Sequence, residues 1–324
     1  MATAAKIAHI DSYAGLLDSF AVSLEAENVS RHTLRAYRRA AQRFRGWLEE
    51  TGRPTAPERI TKPDCEAFVS YLLSTVSEGT ARTYFQALHR WFAWMEDEGE
   101  LGDRQSPMAR MKGPKVHERP PQVLSDDELR ALLRACSGSE FYDRRDMAIL
   151  RIAIDSGFRR GELVWLAVED IDLGNRLIRV KGKGGNMHFV PIGARSAQAL
   201  DRYLRARARH PFADQLRDRE TIGGKREHVH PLWLTRNGPL SMDGDGIADI
   251  LERRAKQAGI ERHIHPHVLR HSFADQWKRS QGSEEDLMRI GRWKDRKILQ
   301  RYGAWAADER ACEAHRRLSP GDRL

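Results

Sequence analysis

The sequence has 324 residues, of which 40% are hydrophobic and 31% are charged, a composition that allows about two domains with buried cores. Its net charge of +9 favours a polyanionic partner, and most of the basic excess lies in the C-terminal two-thirds of the chain. Three distant cysteines, Cys65, Cys136 and Cys312, argue against a disulfide framework, and neither a signal peptide nor a run of ~18 apolar residues occurs, so we expect a cytoplasmic protein without a membrane span.

The N-terminal part of the chain is predicted to form a small bundle of amphipathic helices. Apolar residues recur at helical spacing in four segments, 13–24, 34–48, 68–72 and 84–95. Ser30 and Thr61 are suited to cap the second and third helices, because their hydroxyls can accept a free backbone N–H.

Arginines stand between the apolar positions of these helices. Among them are Arg31, Arg35, Arg38 and Arg82. Two interpretations remain open for them. They can form an ordinary solvated face, or they can contact the phosphates of a duplex and set its register without reading bases.

A segment with three prolines and a glycine separates the bundle from the rest of the chain. Such a composition is typical of a linker. The capping box formed by Ser125 and Glu128 then indicates the start of a second domain. The predicted boundaries are a helical domain at 1–112, a linker at 113–123, a second domain at 124–310 and a C-terminal tail at 311–324.

The second domain opens with an apolar helix over 146–154. Gly157 fits the position just beyond its end, where a left-handed backbone is needed, and Arg159 begins the next helix. Arg159 and Glu162 stand three residues apart, a spacing at which a simple surface ion pair is common. This pair alone therefore does not indicate chemistry.

A β-hairpin follows. Alternating residues predict strands at 175–181 and 188–192, and a glycine-rich turn between them carries Lys183 at its tip. A lysine on a turn is usually solvated, yet flanking glycines also let it approach a phosphodiester. Helices are expected at 196–209 and 247–259, with a polar segment over 214–230 between them.

Four histidines fall within nine residues near the end of the domain, at positions 263, 265, 267 and 271. Their spacing matches no standard zinc site and no cysteine accompanies them, so we expect no metal. On a helix, His267 and Arg270 share one face and suit an oxyanion. His271 lies about 100° from Arg270 and is expected to support the structure.

Tyr302 ends a basic run and, taken alone, would be expected to pack in a core. Together with the upstream residues, however, it completes a pattern that resembles the tyrosine recombinases, the family of phage integrases and Xer proteins. The segments that carry the resemblance are 157–163 around Arg159, 182–184 around Lys183, the His-x-x-Arg box of His267 and Arg270, Tyr302 itself, and Thr33 with Tyr37 in the N-terminal bundle. Their order along the chain is the order of that family.

The resemblance implies a mainly α fold, with a helical SAM-like core-binding domain followed by an α+β catalytic domain that holds a small antiparallel sheet. The chain departs from the family's usual residues in two places. After Lys183, positions that are often basic in the family are Asn186 and His188. Where the family usually has a histidine nine residues before the tyrosine, this chain has Trp293, which can donate an N–H to phosphate but cannot move a proton. The alternative is Arg292, which needs a one-residue insertion before Tyr302.

The resemblance also implies a chemistry. Tyr302 attacks a phosphodiester and forms a 3′-phosphotyrosyl bond, while Arg159 and Arg270 stabilise the charge on the phosphate oxygens. Trp293 adds a third donor. The remaining implied roles are proton acceptor for His267, orientation of the site for Glu162 and protonation of the leaving 5′ oxygen for Lys183.

No cofactor is implied. The implied partners are double-stranded DNA with a specific recombination site, three further copies of the chain in a tetrameric synapse with exchange of the tail at 311–324, and an accessory DNA-bending protein, all in the bacterial nucleoid. Integration, excision and resolution of a DNA element are the expected biological outcomes. Two alternatives stay open, namely a DNA-binding relative without catalysis and an enzyme of the type IB topoisomerase kind that relaxes DNA.

Overall fold

The computed structural model describes residues 13–117, 121–182, 187–220, 226–235, 242–296, 299, 302, 311–312 and 314–323. The chain divides into two compact units, residues 1–119 and 120–324. None of the helices in the described ranges combines the length and the apolarity needed to span a bilayer.

The first unit contains the four predicted helices. They are α1 (Tyr13–Ala26), α2 (Arg31–Glu50), α3 (Lys62–Thr75) and α4 (Glu78–Asp97). Both predicted residues occupy the cap positions. Ser30 Oγ accepts the backbone N–H of Thr33 at 3.2 Å, as predicted. At Thr61 the direction differs, because Asp64 Oδ2 accepts the backbone N–H at 2.9 Å and the hydroxyl at 2.6 Å. Each cap satisfies an N–H that the helix itself leaves unpaired.

Aromatic side chains fill the core of this unit. Phe44 is fully buried, with its ring centroid 4.9 Å from that of Phe68 and 6.0 Å from that of Phe92. Trp91 lies beside Phe92, with 5.3 Å between the ring centroids. Burying each such side chain contributes on the order of 1.5–3 kcal/mol, so this cluster supplies much of the stability of the unit.

The described residues of the second unit combine helices with two small antiparallel sheets, which confirms the predicted fold class. Its helices are α5 (Asp126–Arg134), α6 (Phe141–Ser156), α7 (Arg160–Val164), α8 (Ala194–Arg207), α9 (Gly244–Gln257), α10 (Pro266–Arg279) and α11 (Glu284–Gly291). Its strands are β1 (Ile171–Asp172), β2 (Leu177–Lys181), β3 (Met187–Pro191), β4 (Arg217–Glu220) and β5 (Arg226–Val229).

The first sheet has the order β1-β2-β3 and contains the predicted hairpin. Ile178 pairs with Val190 and Lys181 with Met187. Ile178 and Val190 are both buried, as expected when one face of a two-residue repeat packs on the core. The turn residues 183–186 lie outside the described residues.

The second sheet, β4 with β5, was not predicted, because its strands carry charges instead of alternating apolar residues. Ion pairs link its strands to each other and to a neighbouring carboxylate. Arg219 Nε bonds Glu227 across the two strands at 2.7 Å, and its guanidinium also reaches the buried carboxylate of Asp170. A polar sequence can therefore form a sheet where cross-strand charges pair.

Gly157 turns the chain from α6 into α7, as the sequence predicts. Its φ of +56° is in the left-handed region. A Cβ atom at this position would lie 2.5 Å from the Phe273 ring, so the close approach also requires glycine. This turn places Arg159 at the start of α7.

Candidate active site

Arg159 is held in place by its own helix and by a distant backbone carbonyl. As the residue that precedes α7, it donates its backbone N–H to Glu162 Oε2 at 2.8 Å and its Nη1 to Glu162 Oε1 at 2.7 Å. Its Nη2 donates to the carbonyl oxygen of Arg292 at 2.5 Å. The side chain is 37% exposed, so the guanidinium is fixed but still reachable from solvent.

Glu162 binds a second arginine as well. Arg292 has a left-handed backbone (φ +57°), and its guanidinium contacts both carboxylate oxygens of Glu162 at 2.5 and 3.1 Å. Burial acts to raise the pKa of Glu162, but the hydrogen bonds and charges of Arg292 and Arg159 outweigh it and hold that pKa below its ordinary value. The carboxylate is therefore ionised and joins α7 to the segment after α11.

Arg270 lies beneath the ring of Trp293. Its guanidinium carbon is 3.9 Å from the ring centroid, and its two Nη atoms donate to the carbonyl oxygens of Gly157 and Gly291. Burial, together with the charges of Arg159 and Arg292, lowers the pKa of Arg270 to about 9. Trp293 is itself stacked on Phe273, with ring planes 3° apart.

Tyr302 is buried in the same cluster, with 6% of its surface exposed. Its ring centroid lies 5.9 Å from that of Trp293. Its hydroxyl oxygen lies 2.8 Å from Nδ1 of His271, which is hydrogen-bond distance. The hydroxyl is thus next to an imidazole and close to the ring that covers Arg270.

His267 lies one helical turn before His271 on α10 and is exposed. The two rings are 6.2 Å apart at an angle of 25°. Partial burial of the ring first, then the neighbouring charges of His265 and Arg270, lower the pKa of His267, which favours the neutral imidazole. Within the described ranges, no group of three or more His, Cys, Asp or Glu side chains could hold a metal ion.

A cavity of about 1260 Å³ opens beside this cluster. Arg159, Glu162 and Trp293 line it, together with Lys181 and Gly182 of the first hairpin. Its wall also carries the acidic side chains of Asp170 and Glu285, but basic side chains outnumber them, namely Arg179, Arg219, Arg289, Arg292, Lys294 and Arg296. The cavity is therefore cationic and extends to Lys181 and Gly182 at the end of β2.

Six of the predicted site residues therefore occur in one place or at its edge. They are Arg159, Glu162, His267, Arg270, Trp293 and Tyr302. Lys183 lies outside the described residues. Arg31, Arg35, Arg38 and Arg82 belong to the first unit, where Arg38 forms an ion pair with Asp18.

His271 is the site residue that the sequence did not indicate. The prediction of a structural role came from its angle to Arg270. The spacing to His267 was the more informative one. His267 and His271 are four residues apart, so on a helix they share a face, and a role for His267 in the site places His271 beside it. Contact with Tyr302, 31 positions along the chain, is tertiary and cannot be read from local spacing.

The sequence matches two known families in separate regions. Residues 122–309 match the phage integrase family, and residues 17–99 match the phage integrase N-terminal SAM-like domain. The chain is 30% identical to the tyrosine recombinase XerC of Pelobacter propionicus over 258 residues, which cover 79% of each protein. It is 31% identical to XerC of Thermodesulfovibrio yellowstonii over 76% of each.

Solved structures with a similar fold include that of the XerH site-specific recombinase bound to a palindromic difH substrate. It has a TM-score of 0.71 and 18% identity, and the match covers 90% of this chain and 81% of XerH. A lambda integrase dimer bound to a COC′ core site matches with a TM-score of 0.64 and 18% identity, over 89% and 94% of the two chains. Because both identities are 18%, these two matches show that the fold is similar and nothing more.

Proposed function

The chain belongs to the phage integrase family of tyrosine recombinases, and on that premise we propose that it breaks and rejoins duplex DNA at a specific site through a 3′-phosphotyrosyl bond to Tyr302. The observation that carries this proposal is the surrounding of the Tyr302 hydroxyl. A phenol, an imidazole and an indole-covered guanidinium meet beside a cationic cavity. Such a cluster suits attack on a phosphodiester, whose negative charge grows as the nucleophile adds.

Two guanidinium groups would stabilise that charge. Arg159 faces the cavity, and Arg270 lies behind Trp293 with two of its donors already fixed by carbonyl oxygens. Because a guanidinium stays charged and can bond two oxygens at once, it fits a phosphate better than an ammonium does. Trp293 would add its indole N–H. Arg292 is the weaker candidate for that position, since Glu162 neutralises it.

The exposed imidazole of His267 would approach the scissile phosphate from the first turn of α10. Lys183 would protonate the leaving 5′ oxygen, and Lys181 and Gly182, which precede it, line the cavity. Glu162 would orient Arg159 through its two hydrogen bonds to that residue. No step of this chemistry calls for a cofactor, because the covalent bond to tyrosine conserves the energy of the phosphodiester.

The same proposal assigns the rest of the chain. Residues 1–112 would form the core-binding domain, in which Arg31, Arg35, Arg38 and Arg82 contact DNA phosphates, and 113–123 would be the linker. Residues 124–310 would form the catalytic domain. The tail at 311–324 would pass to a neighbouring protomer in a tetramer that carries out integration, excision or resolution in the nucleoid, with an accessory DNA-bending protein as a further partner.

The test is covalent capture of DNA. Wild-type protein and Tyr302→Phe are each mixed with a random-sequence pool of short duplexes and denatured, and the DNA that stays attached is sequenced. We expect the wild type to retain specific duplexes and Tyr302→Phe to retain none, although it still binds the same duplexes without denaturant.

The control is Tyr142→Phe, which removes the hydroxyl of a partly exposed tyrosine in the same unit. It should retain DNA as the wild type does. An adduct with Tyr302→Phe would contradict the assignment of the nucleophile. Strand exchange between two copies of the captured duplex then separates a recombinase from an enzyme that only relaxes DNA.

A further inference from the structure

The hydroxyl of Tyr302 and the Nδ1 atom of His271 are 2.8 Å apart, and the two ring centroids are 5.1 Å apart. A general base must lie within about 2.6–3.2 Å of the group whose proton it takes. His271 meets this requirement before any DNA is bound. It is partly buried, so bulk water does not compete freely for Nδ1.

We propose that His271, and not the exposed His267, accepts the proton of Tyr302 when that residue attacks DNA. This inference rests on the proposed function, since it needs Tyr302 to be the nucleophile. His267 and His271 share a face of α10, with His267 nearer the helix start and His271 against the tyrosine. The two imidazoles would then have separate roles. His267 would contact the phosphate, and His271 would take the proton of the phenol.

The protonation state agrees with this assignment. Burial first, then the nearby groups His267, His265 and Arg270, lower the pKa of His271 to about 4. The ring is therefore neutral near pH 7, and in the tautomer with its proton on Nε2 it can accept at Nδ1. A phosphodiester bound among Arg159 and Arg270 brings negative charge, which raises this pKa towards the range where an imidazole is an efficient base.

The proton and electron balance closes without a further reactant. The Oη–H proton of Tyr302 passes to Nδ1 of His271 as the Oη–P bond forms. The P–O5′ bond breaks, and the 5′ oxygen takes a proton from Lys183. In the rejoining step the 5′ hydroxyl gives its proton back to Lys183 as it attacks phosphorus. The Oη–P bond breaks, and the imidazolium of His271 returns its proton to the departing phenolate.

Three variants test the inference on one substrate. A single duplex captured from the random pool by the wild-type protein is labelled, and the rate of adduct formation is measured in a single turnover from about pH 6 to about pH 8.5. This range stays below the pKa of Arg270, about 9. The variants are His271→Gln, His271→Ala and the control His263→Gln. The amide side chain in His271→Gln keeps a hydrogen bond to the phenol but cannot take its proton, and His263 is an exposed histidine of the same cluster.

We expect both His271 variants to lose about 10²–10⁴-fold in rate at pH 7, the usual contribution of a general base. Because hydroxide can ionise a phenol of pKa near 10 directly, their deficit should shrink about tenfold per pH unit as the pH rises. The control should keep the wild-type rate. Thermal unfolding and DNA binding, measured on the same preparations, should be unchanged in all three.

Two results would overturn the inference. One is a His271→Gln rate equal to that of the wild type, which would mean that the hydrogen bond only positions the ring. The other is a deficit that stays constant over the whole pH range, which would indicate a structural effect. Both leave the proposed function intact, whereas failure of the wild type to capture any duplex, or capture by Tyr302→Phe, removes both proposals.

Discussion

Replacing Glu162 by glutamine should be among the most destabilising single changes in the second unit. The carboxylate is buried, with 8% of its side chain exposed, and it accepts four hydrogen bonds, two from Arg159 and two from Arg292. In Glu162→Gln one oxygen becomes an NH₂ group, which must face an arginine donor. Breaking a buried ion pair in this way costs about 3–5 kcal/mol.

The assay is urea unfolding of the full chain at pH 7, with Asp201→Asn as the control. Asp201 pairs with Arg205 on the surface of α8, with side chains 44% and 66% exposed, so its loss should cost only about 0.2–0.5 kcal/mol. Adduct formation by Tyr302 should also slow about 10²-fold in Glu162→Gln, because Arg159 loses its orienting partner. A free-energy loss no larger than that of Asp201→Asn would refute the reasoning.

The pH dependence provides a second check. The pKa of Glu162 is lower in the folded protein than its ordinary 4.5, so its contribution to stability is present above pH 4.5 and is lost as the pH falls through the folded-state pKa. The gap in free energy of unfolding between wild type and Glu162→Gln should therefore narrow over that acidic window. A gap that stays constant there would contradict the assigned charge.

Two further substitutions probe the surroundings of the tyrosine. Gly291→Ala places a Cβ 1.7 Å from the Trp293 ring, so we expect the indole to be displaced. Tryptophan fluorescence should change and adduct formation should slow. Unchanged fluorescence would contradict this prediction. Arg270→Lys should lower the rate of adduct formation about 10²–10³-fold with little change in DNA binding. A single ammonium nitrogen lacks the planar fork of donors with which Arg270 bonds the carbonyl oxygens of Gly157 and Gly291, so it is poorly placed to bond both and a phosphate. A rate within a fewfold of wild type would count against a phosphate role.

The sequence predicted the elements that follow from local spacing. The helices, the caps at Ser30 and Ser125, the turn at Gly157 and the first hairpin all depend on residues within one or two turns of each other, and the structure confirms them. The sheet of β4 and β5 was missed because its strands lack alternating apolar residues. Arg219 pairs with Glu227, eight positions away, and with Asp170, 49 positions away, and neither contact follows from hydrophobic periodicity.

The candidate site shows the same limit. Residue types and their order predict which side chains take part, and the structure brings Arg159, Arg270 and Tyr302 together; their chemical roles remain predictions. The order of these residues along the chain does not predict the contacts that position each side chain. The contact of His271 with Tyr302 arises from tertiary packing, as does the cover of Trp293 over Arg270.

The way the arginines are held has a consequence for the chemistry. Glu162 neutralises Arg292 and shares its remaining hydrogen bonds with Arg159, whereas Arg270 is oriented by carbonyl oxygens of Gly157 and Gly291. A carbonyl dipole fixes the guanidinium plane without cancelling its charge. Among the residues that the structure describes, the guanidinium groups of Arg159, Arg270 and Arg292 lie near the single carboxylate of Glu162, so the cluster has a net positive charge. Its guanidinium groups are already oriented by their hydrogen bonds before a phosphate binds. Because such a site needs little rearrangement when charge develops on the phosphate, its electrostatic effect falls on the transition state.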